Sequence, residues 1–315
     1  MLPPFLKPGD LVAILSPSGA VDSQFIDSAA LQLSSWGLTV RVMPHAKSSF
    51  GSFAGTPEDR LSDLQAAISD PQVKAILCSR GGYGAIQIVD QLDISSFEVS
   101  PKWIIGFSDI TVLHSLCTAV GVASIHGVMA KHIATLPPSA PAVKCLRDFL
   151  FGKLPSYSFS SDDCRVPTLQ GDLVNLNRPG SVKGRLVGGN LSLVYALRAT
   201  PFDLDAYSRE NILFIEDVSE RPYQVDRMIN NLRLSGVLEN IKGLIVGQFS
   251  DYEEDGRMMR TVHQIIRDAV EEYDYPVLFN FPAGHVEDNR PLLMGANVEL
   301  SVSRDDASVN FVCKQ

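Results

Sequence analysis

The chain has 315 residues, 45% hydrophobic and 20% charged, a globular composition that excludes disorder as the main state. At about 150 residues per domain the length predicts two domains or one large α/β unit, large enough to need no disulfide or metal staple. The formal net charge is −9, from 10 basic and 12 acidic groups in 1–150 and 17 and 24 in 151–315; no basic stripe exists to neutralise phosphates, which argues against a nucleic-acid partner.

Apolar runs such as 73–78 and 243–247 are too short to span a bilayer. The opening residues Met1-Leu2-Pro3-Pro4-Phe5-Leu6-Lys7-Pro8 lack the basic start and long apolar stretch of a signal peptide. The expectation is a soluble, cytoplasmic protein with no membrane partner. Five cysteines (78, 117, 145, 164 and 313) with no C-x-x-C pair fit reduced thiols rather than a disulfide framework or zinc knuckle.

In chain order, residues 10–16 form a Val/Ile/Leu-rich run that predicts a buried strand, ended by Pro17-Ser18-Gly19. Residues 22–36 carry helical spacing through Phe25, Ile26, Ala29, Ala30, Leu33 and Trp36, and Gly37 ends the helix. A strand is expected at 38–43. Thr56 as N-cap and Pro57 at the first helical position open a helix with Leu61, Leu64, Ala67 and Ile68 on one face. Strands at 73–78 and 103–107 follow, with helices from Ala85 and from about Ile110. This alternation predicts a parallel sheet covered on both faces.

From about 135 to 182 the pattern degrades into Pro, Ser and Asp, which reads as an interdomain connection. The second half predicts an apolar helix after Gly188-Gly189 within 184–197. It continues with strands at 211–215, 243–249 and 276–281, helices at 222–235 and 258–272, and closing strands at 296–303 and 307–312. The expected domains are 1–150 and 183–315, joined by a linker at 151–182.

In open parallel sheets, ligands bind outside the carboxyl ends of the strands, and three strand ends carry unusual chemistry. The first is Gly106-Phe107-Ser108-Asp109-Ile110-Thr111. A serine at a sharp strand-to-helix turn projects its hydroxyl above the sheet toward N–H donors, as a nucleophile requires. The segment departs from G-x-S-x-G at Ile110, and Ser108 could equally cap the next helix. The second is Ser79-Arg80-Gly81-Gly82-Tyr83-Gly84, a nest of N–H groups in which Gly82 could supply an oxyanion donor, or an ordinary tight turn. It matches no nucleotide-binding fingerprint.

The third set is Glu216, at the end of a strand, and His285, after Pro282-Ala283-Gly284. Alone, each is unremarkable. With Ser108 they give the order Ser…Glu…His, in which His285 could accept the Ser108 proton and Glu216 could fix its tautomer. His114, His126 and His132 lack metal-ligand spacing, and Cys78 reads as an inert buried thiol.

These residues bring a resemblance into view. The segments Phe53-Ala54-Gly55-Thr56, Arg80-Gly81-Gly82-Tyr83-Gly84, Gly106-Phe107-Ser108-Asp109-Ile110-Thr111, His126-Gly127, Leu186-Val187-Gly188-Gly189-Asn190-Leu191, Phe214-Ile215-Glu216-Asp217 and Gly284-His285 closely resemble the LD-carboxypeptidase family of serine peptidases. Seven motifs in register over nearly the whole chain make the resemblance specific. It implies an α/β fold, with a Rossmann-like parallel-sheet N-terminal domain holding the nucleophile and a smaller, β-rich α/β C-terminal domain holding Glu and His.

By position, the resemblance implies Ser108 as nucleophile, His285 as general base and acid, and Glu216 as orienting carboxylate. The backbone N–H groups of Gly82 and Asp109 would form the oxyanion hole. It further implies a homodimer without metal or cofactor, removing the terminal D-Ala of murein tetrapeptide in cytoplasmic cell-wall recycling. Arg80, Tyr83 and Arg227 are candidates for contacts to this small peptide substrate.

The nearest alternative is a microcin C-type immunity peptidase cleaving peptidyl or aminoacyl nucleotides. It would want an aromatic platform, and no Trp in the second half stands near Glu216 or His285. A non-catalytic binding module would lack a triad member, and none is missing. A Rossmann dehydrogenase would need a Gly-rich fingerprint after the first strand, where Ser16-Pro17-Ser18-Gly19 stands instead.

Overall fold

The computed structural model describes residues 1–203 and 210–312; Cys313 lies outside them, and Cys78, Cys117, Cys145 and Cys164 are free thiols. The chain divides into two compact units, one of residues 1–154 with 287–295, the other of 155–286 with 296–315.

In the first unit, β1 (Leu11–Leu15) is an almost fully buried run. Helix α1 (Ser23–Ser35) is capped by the Asp22 side chain and buries Ile26, Ala29 and Leu33. After β2 (Thr39–Val42), α2 (Pro57–Ser69) starts in a capping box between Thr56 and Asp59, which satisfies two otherwise orphaned N–H groups. Its buried face is Arg60, Asp63, Leu64, Ala67 and Ile68 rather than the Leu61 side. Strand β3 (Val73–Cys78) leads into the Gly-rich loop.

The helix expected from Ala85 is instead two single 3₁₀ turns, Ala85–Gln87 and Val89–Gln91, followed by the short α3 (Ser95–Val99). The turns have no side-chain cap, and β-branched Ile86, Ile88 and Val89 favour helix weakly. Then come β4 (Trp103–Gly106), α4 (Thr111–Ala119), β5 (Ser124–His126), α5 (Ala130–Thr135) and α6 (Pro141–Leu150).

The second unit begins inside the segment read as a linker. Residues 151–182 carry β6 (Ser156–Ser160), β7 (Val166–Pro167), β8 (Leu173–Val174) and the start of β9 (Gly180–Asn190). Strand β6 alternates exposed serines with buried Tyr157 and half-buried Phe159, so it lacks the continuous apolar run of a buried strand. The Gly188-Gly189 pair belongs to β9, and α7 (Leu191–Ala196) follows it. Next are β10 (Asn211–Val218), α8 (Pro222–Leu234), β11 (Gly243–Ser250) and α9 (Val262–Ala269). Helix α9 starts later than expected because Met259 is left-handed and Thr261 forms a capping box with Gln264. The chain ends with β12 (Val277–Leu278), β13 (Leu292–Met294), β14 (Asn297–Val302) and β15 (Asp306–Phe311).

The first unit's sheet has the order β13-β5-β4-β3-β1-β2. It is parallel except where β13, returning from residues 287–295, pairs antiparallel with β5. The second unit, smaller in residues, has a mixed sheet of order β12-β11-β10-β9-β14-β15-β6. Strands β9 to β12 are parallel neighbours, and β9, β14, β15 and β6 are antiparallel. Beneath β9, β10 and β11, residues such as Val187, Leu213, Ile215 and Val246 pack with Val225, Ile229, Leu232 and Ile266 of α8 and α9. Among the described residues no helix is long and apolar enough to cross a membrane.

Each unit also holds a buried, uncharged histidine. His114 of α4 and His263 of α9 are 1% and 7% exposed, and burial pushes both imidazoles down to about 4 from an ordinary 6.5. Between those values the unfolded chain takes up protons that the folded chain refuses, so stability falls as pH drops. The expected loss is roughly 3 kcal/mol per histidine, measurable as a fall in denaturation midpoint from pH 6.5 to 4. His263→Leu should flatten part of that fall.

Candidate active site

The end of β4 is a strained turn. Phe107 is extended, Ser108 then takes φ 65°, and residues 108–110 form one 3₁₀ turn before α4. Positive φ is uncommon for a residue with a Cβ, and such strain clusters at functional sites. Ser108 does not cap α4, whose N-terminus has no side-chain cap. Ile110 stands where G-x-S-x-G has its second glycine. It packs on Gly106, where a Cβ would come within 2.8 Å of the Ile110 side chain. From α4, His114 Nε2 lies 2.9 Å from the Gly106 carbonyl oxygen, and its Nδ1 lies 2.8 Å from Ser124 Oγ. The carbonyl only accepts, so Nε2–H donates to it and Nδ1 accepts from the serine.

The Gly-rich loop after β3 lies against this turn. A Cβ on Gly81 would be 2.8 Å from Ser108 Cβ and 3.0 Å from its Oγ, so only glycine fits. Gly82 is exposed with φ 104°. Gly19 N–H donates to the Gly81 carbonyl at 3.0 Å, fastening the loop after β1 to the Gly-rich loop. Two buried charges lie beneath. Arg60 Nη1 donates to the carbonyls of Pro17 (3.0 Å) and Gly84 (2.8 Å), and Nη2 donates to Gln87 Oε1 at 2.7 Å. Asp109 Oδ2 accepts from Ser18 Oγ at 2.5 Å and from the Ala85 N–H at 2.8 Å. Burial raises the Asp109 carboxyl pKa against the pull of these hydrogen bonds and of Arg60.

Glu216 and His285 come together in the second unit. Glu216, at 0% exposure, accepts from His285 Nδ1 through Oε2 at 2.7 Å. Its other oxygen, Oε1, is buried without a hydrogen-bond partner among the described residues. Gly284 permits the approach: its φ is 134°, and a Cβ there would lie 2.9 Å from Glu216 Oε2. Burial disfavours the imidazolium of His285, but the hydrogen bond and charge of Glu216, with Asp217 and Asp251 behind, outweigh it. The imidazole pKa therefore sits above its ordinary value.

Asp217 accepts from Asn190 Nδ2 and the Ser192 N–H, each at 2.8 Å, and from its neighbour's N–H. Burial and the Glu216 charge still lift its carboxyl to about 7. Beyond the ends of β10 and β11, a cavity of about 500 Å³ is lined by Ser219, Arg221, Tyr223, Asp251 and Tyr252, among others. Ser219 and Asp251 are themselves left-handed, at φ 60° and 52°.

The remaining candidates are scattered. Arg80 is exposed, with Nη1 donating to the Ala20 carbonyl. Tyr83 is 55% exposed, its ring 6.0 Å from that of Phe53. Arg227 lies exposed on α8 with its guanidinium 5.6 Å from the Tyr223 ring centre. Cys78 is buried, and its thiol pKa is pushed up by that burial. His114, His126 and His132 surround the base of the Ser108 turn, the latter two against the Phe107 ring. No group of three or more His, Cys, Asp or Glu among the described residues could hold a metal ion. Arg60 and the Asp109 side chain are the parts of this candidate site that the sequence does not single out. The signal for Arg60 is its place in the apolar stripe of α2, at the spacing 60, 64, 67, 68.

Known proteins place this chain among hydrolases of the carboxypeptidase kind. Residues 12–127 match the LD-carboxypeptidase N-terminal domain and residues 183–300 the LD-carboxypeptidase C-terminal domain. The chain is 32% identical over 309 residues to the probable murein peptide carboxypeptidase of Bacillus subtilis, covering 98% of this chain and 93% of that protein. It is 30% identical over 298 residues to the murein tetrapeptide carboxypeptidase of Pseudomonas aeruginosa, covering 93% and 94%. The crystal structure of muramoyltetrapeptide carboxypeptidase from Oxalobacter formigenes superposes with a TM-score of 0.84 at 26% identity, covering 96% and 99%. The microcin C7 self immunity protein shares the fold, with a TM-score of 0.85 at 19% identity over 100% of this chain and 99% of that one. The chain belongs to the LD-carboxypeptidase family.

Proposed function

We propose that the chain is a serine LD-carboxypeptidase that removes the terminal D-Ala from cytoplasmic murein tetrapeptide in cell-wall recycling. The left-handed Ser108 at the end of β4 carries the reading, because that backbone presents a hydroxyl instead of capping a helix. The 2.7 Å hydrogen bond between Glu216 and His285 supports it, as do the murein-peptide activities named for the relatives above.

Glu216 accepts from Nδ1–H, which makes Nε2 the basic nitrogen of the His285 ring. In the proposed reaction His285 takes the Ser108 proton while Oγ attacks the carbonyl carbon at the L-centre of the diamino acid. The N–H groups of Gly82 and Asp109 receive the oxyanion. As the C–N bond breaks, His285 gives the proton to the departing D-Ala nitrogen, leaving an acyl-enzyme. Water then attacks the ester by the same route, returning the hydroxyl to Ser108 and releasing the tripeptide acid.

Mass spectrometry of murein tetrapeptide incubated with the protein should show loss of one alanine, and a serine-directed phosphonylating probe should label Ser108. An intact tetrapeptide and an unlabelled Ser108 would refute the reading. An intact tetrapeptide with labelled Ser108 would keep the hydrolase and move its substrate to peptidyl nucleotides.

A further inference from the structure

We infer that Arg60 and Asp109 are positioning residues that grip the peptide plane between Gly84 and Ala85 and thereby aim the Gly82 N–H at the reacting carbonyl. The inference rests on the serine-hydrolase reading above. The C=O of this peptide, on Gly84, accepts from Arg60 Nη1, and its N–H, on Ala85, donates to Asp109 Oδ2. A peptide held at both ends cannot rotate without breaking two charge-assisted hydrogen bonds, the stronger kind. The same two side chains hold the loop after β1, through the Pro17 carbonyl and the Ser18 hydroxyl. That loop in turn holds the Gly81 carbonyl through the Gly19 N–H. The segment from Gly81 to Ala85 is thus fixed on both sides of Gly82.

Two further observations separate this from a device for stability alone. Arg60 and Asp109 are 1% and 0% exposed, and burying charges costs more than filling the same space with apolar groups. What charges add is direction, because their hydrogen bonds set angles that packing leaves loose. Asp109 also follows Ser108 directly, so its side chain ties the Gly-rich loop to the turn that carries the nucleophile and its own N–H. One residue therefore places both proposed oxyanion donors.

The test is steady-state kinetics on tetrapeptide, with Ser108→Ala alongside. Asp109→Ala should lower kcat by about 10²-fold, as loss of an oxyanion donor does, with KM within about threefold. The rate of Ser108 phosphonylation should fall in parallel. Asp109→Asn, which keeps an oxygen for the Ala85 N–H, should recover kcat to within about tenfold of wild type. If Asp109→Ala does not fold, Ser18→Ala and Arg60→Lys each remove part of the grip, and each should lower kcat several-fold in protein that stays folded at the assay temperature, with a modest fall in melting temperature from the lost buried hydrogen bonds. With Ser108→Ala inactive, a folded Asp109→Ala of near-normal kcat, or one changed only in KM, overturns the inference and leaves the hydrolase intact. Unaltered kcat in both milder variants does the same. Substantial turnover by Ser108→Ala overturns the hydrolase reading and the inference with it.

Discussion

Ser108→Ala is expected to lower the rate of tetrapeptide hydrolysis by about 10⁴-fold or more, with little change in melting temperature. The substitution removes one hydroxyl and keeps the Cβ, so the contact with Gly81 persists. Alanine meets the same steric objection as serine at φ 65°, so the strain is not relieved. Its stability effect should fall within about 0.5 kcal/mol. Residual catalysis from binding and oxyanion donors can survive, because these do not depend on the hydroxyl. Turnover within tenfold of wild type, in protein freed of wild-type contamination, would remove Ser108 from the chemistry.

Glu216→Gln should lower kcat by about 10³- to 10⁴-fold, in line with the loss of an orienting carboxylate elsewhere. The side chain is fully buried and the amide nearly isosteric, so the fold should hold. What changes is the tautomer. A glutamine can turn its NH₂ toward His285 Nδ1, forcing the ring proton to Nε2, where the base is required. The buried Oε1 position, which has no partner among the described residues, offers nothing to oppose that turn.

A second signature follows from charge. Burial opposes the His285 imidazolium and Glu216 is foremost among the groups that overcome it, so removing that carboxylate lowers the histidine pKa. The acid limb of kcat/KM, which rises as the free-enzyme base loses its proton, should move to lower pH. Asp217, at about 7 in the wild type, will broaden its profile, and less so in Glu216→Gln, which lacks the charge that helps lift that carboxyl. A pH series from 5 to 9 checks this, and an acid limb moved upward would contradict the assignment of Glu216.

Much of the architecture is legible in the chain because buried parallel strands are continuous apolar runs ended by polar turns. The strands expected at 10–16, 73–78, 103–107, 211–215 and 243–249 are found, although β10 and β11 run on to Val218 and Ser250. The same logic marks Ser108 and Glu216 as polar residues where the apolar runs stop, although Glu216 lies within β10, paired with Asn190, rather than at its end. It fails where burial is one-sided or the element is short. Strand β6 hides Tyr157 and part of Phe159 between serines, and β13 is three residues long within a polar stretch. The contact between Glu216 and His285 spans 69 residues and depends on a glycine conformation that periodicity does not encode. Arg60 looks in sequence like one more exposed charge of a capped helix. Only its phase with Leu64 and Ile68 gives it away.

The return of residues 287–295 to the first unit bears on how the enzyme is made. A ribosome releases the chain from its N-terminus, so β5 emerges long before the strand that closes its open flank. Until β13 appears, the flank of β5 offers unpaired N–H and C=O groups of the kind that recruit other chains. The first unit thus cannot complete its sheet as an early, independent product, and nearly the whole protein must be synthesised first. Expression of residues 1–154 alone would leave that flank bare. A half-enzyme built at that boundary would need a strand supplied from outside.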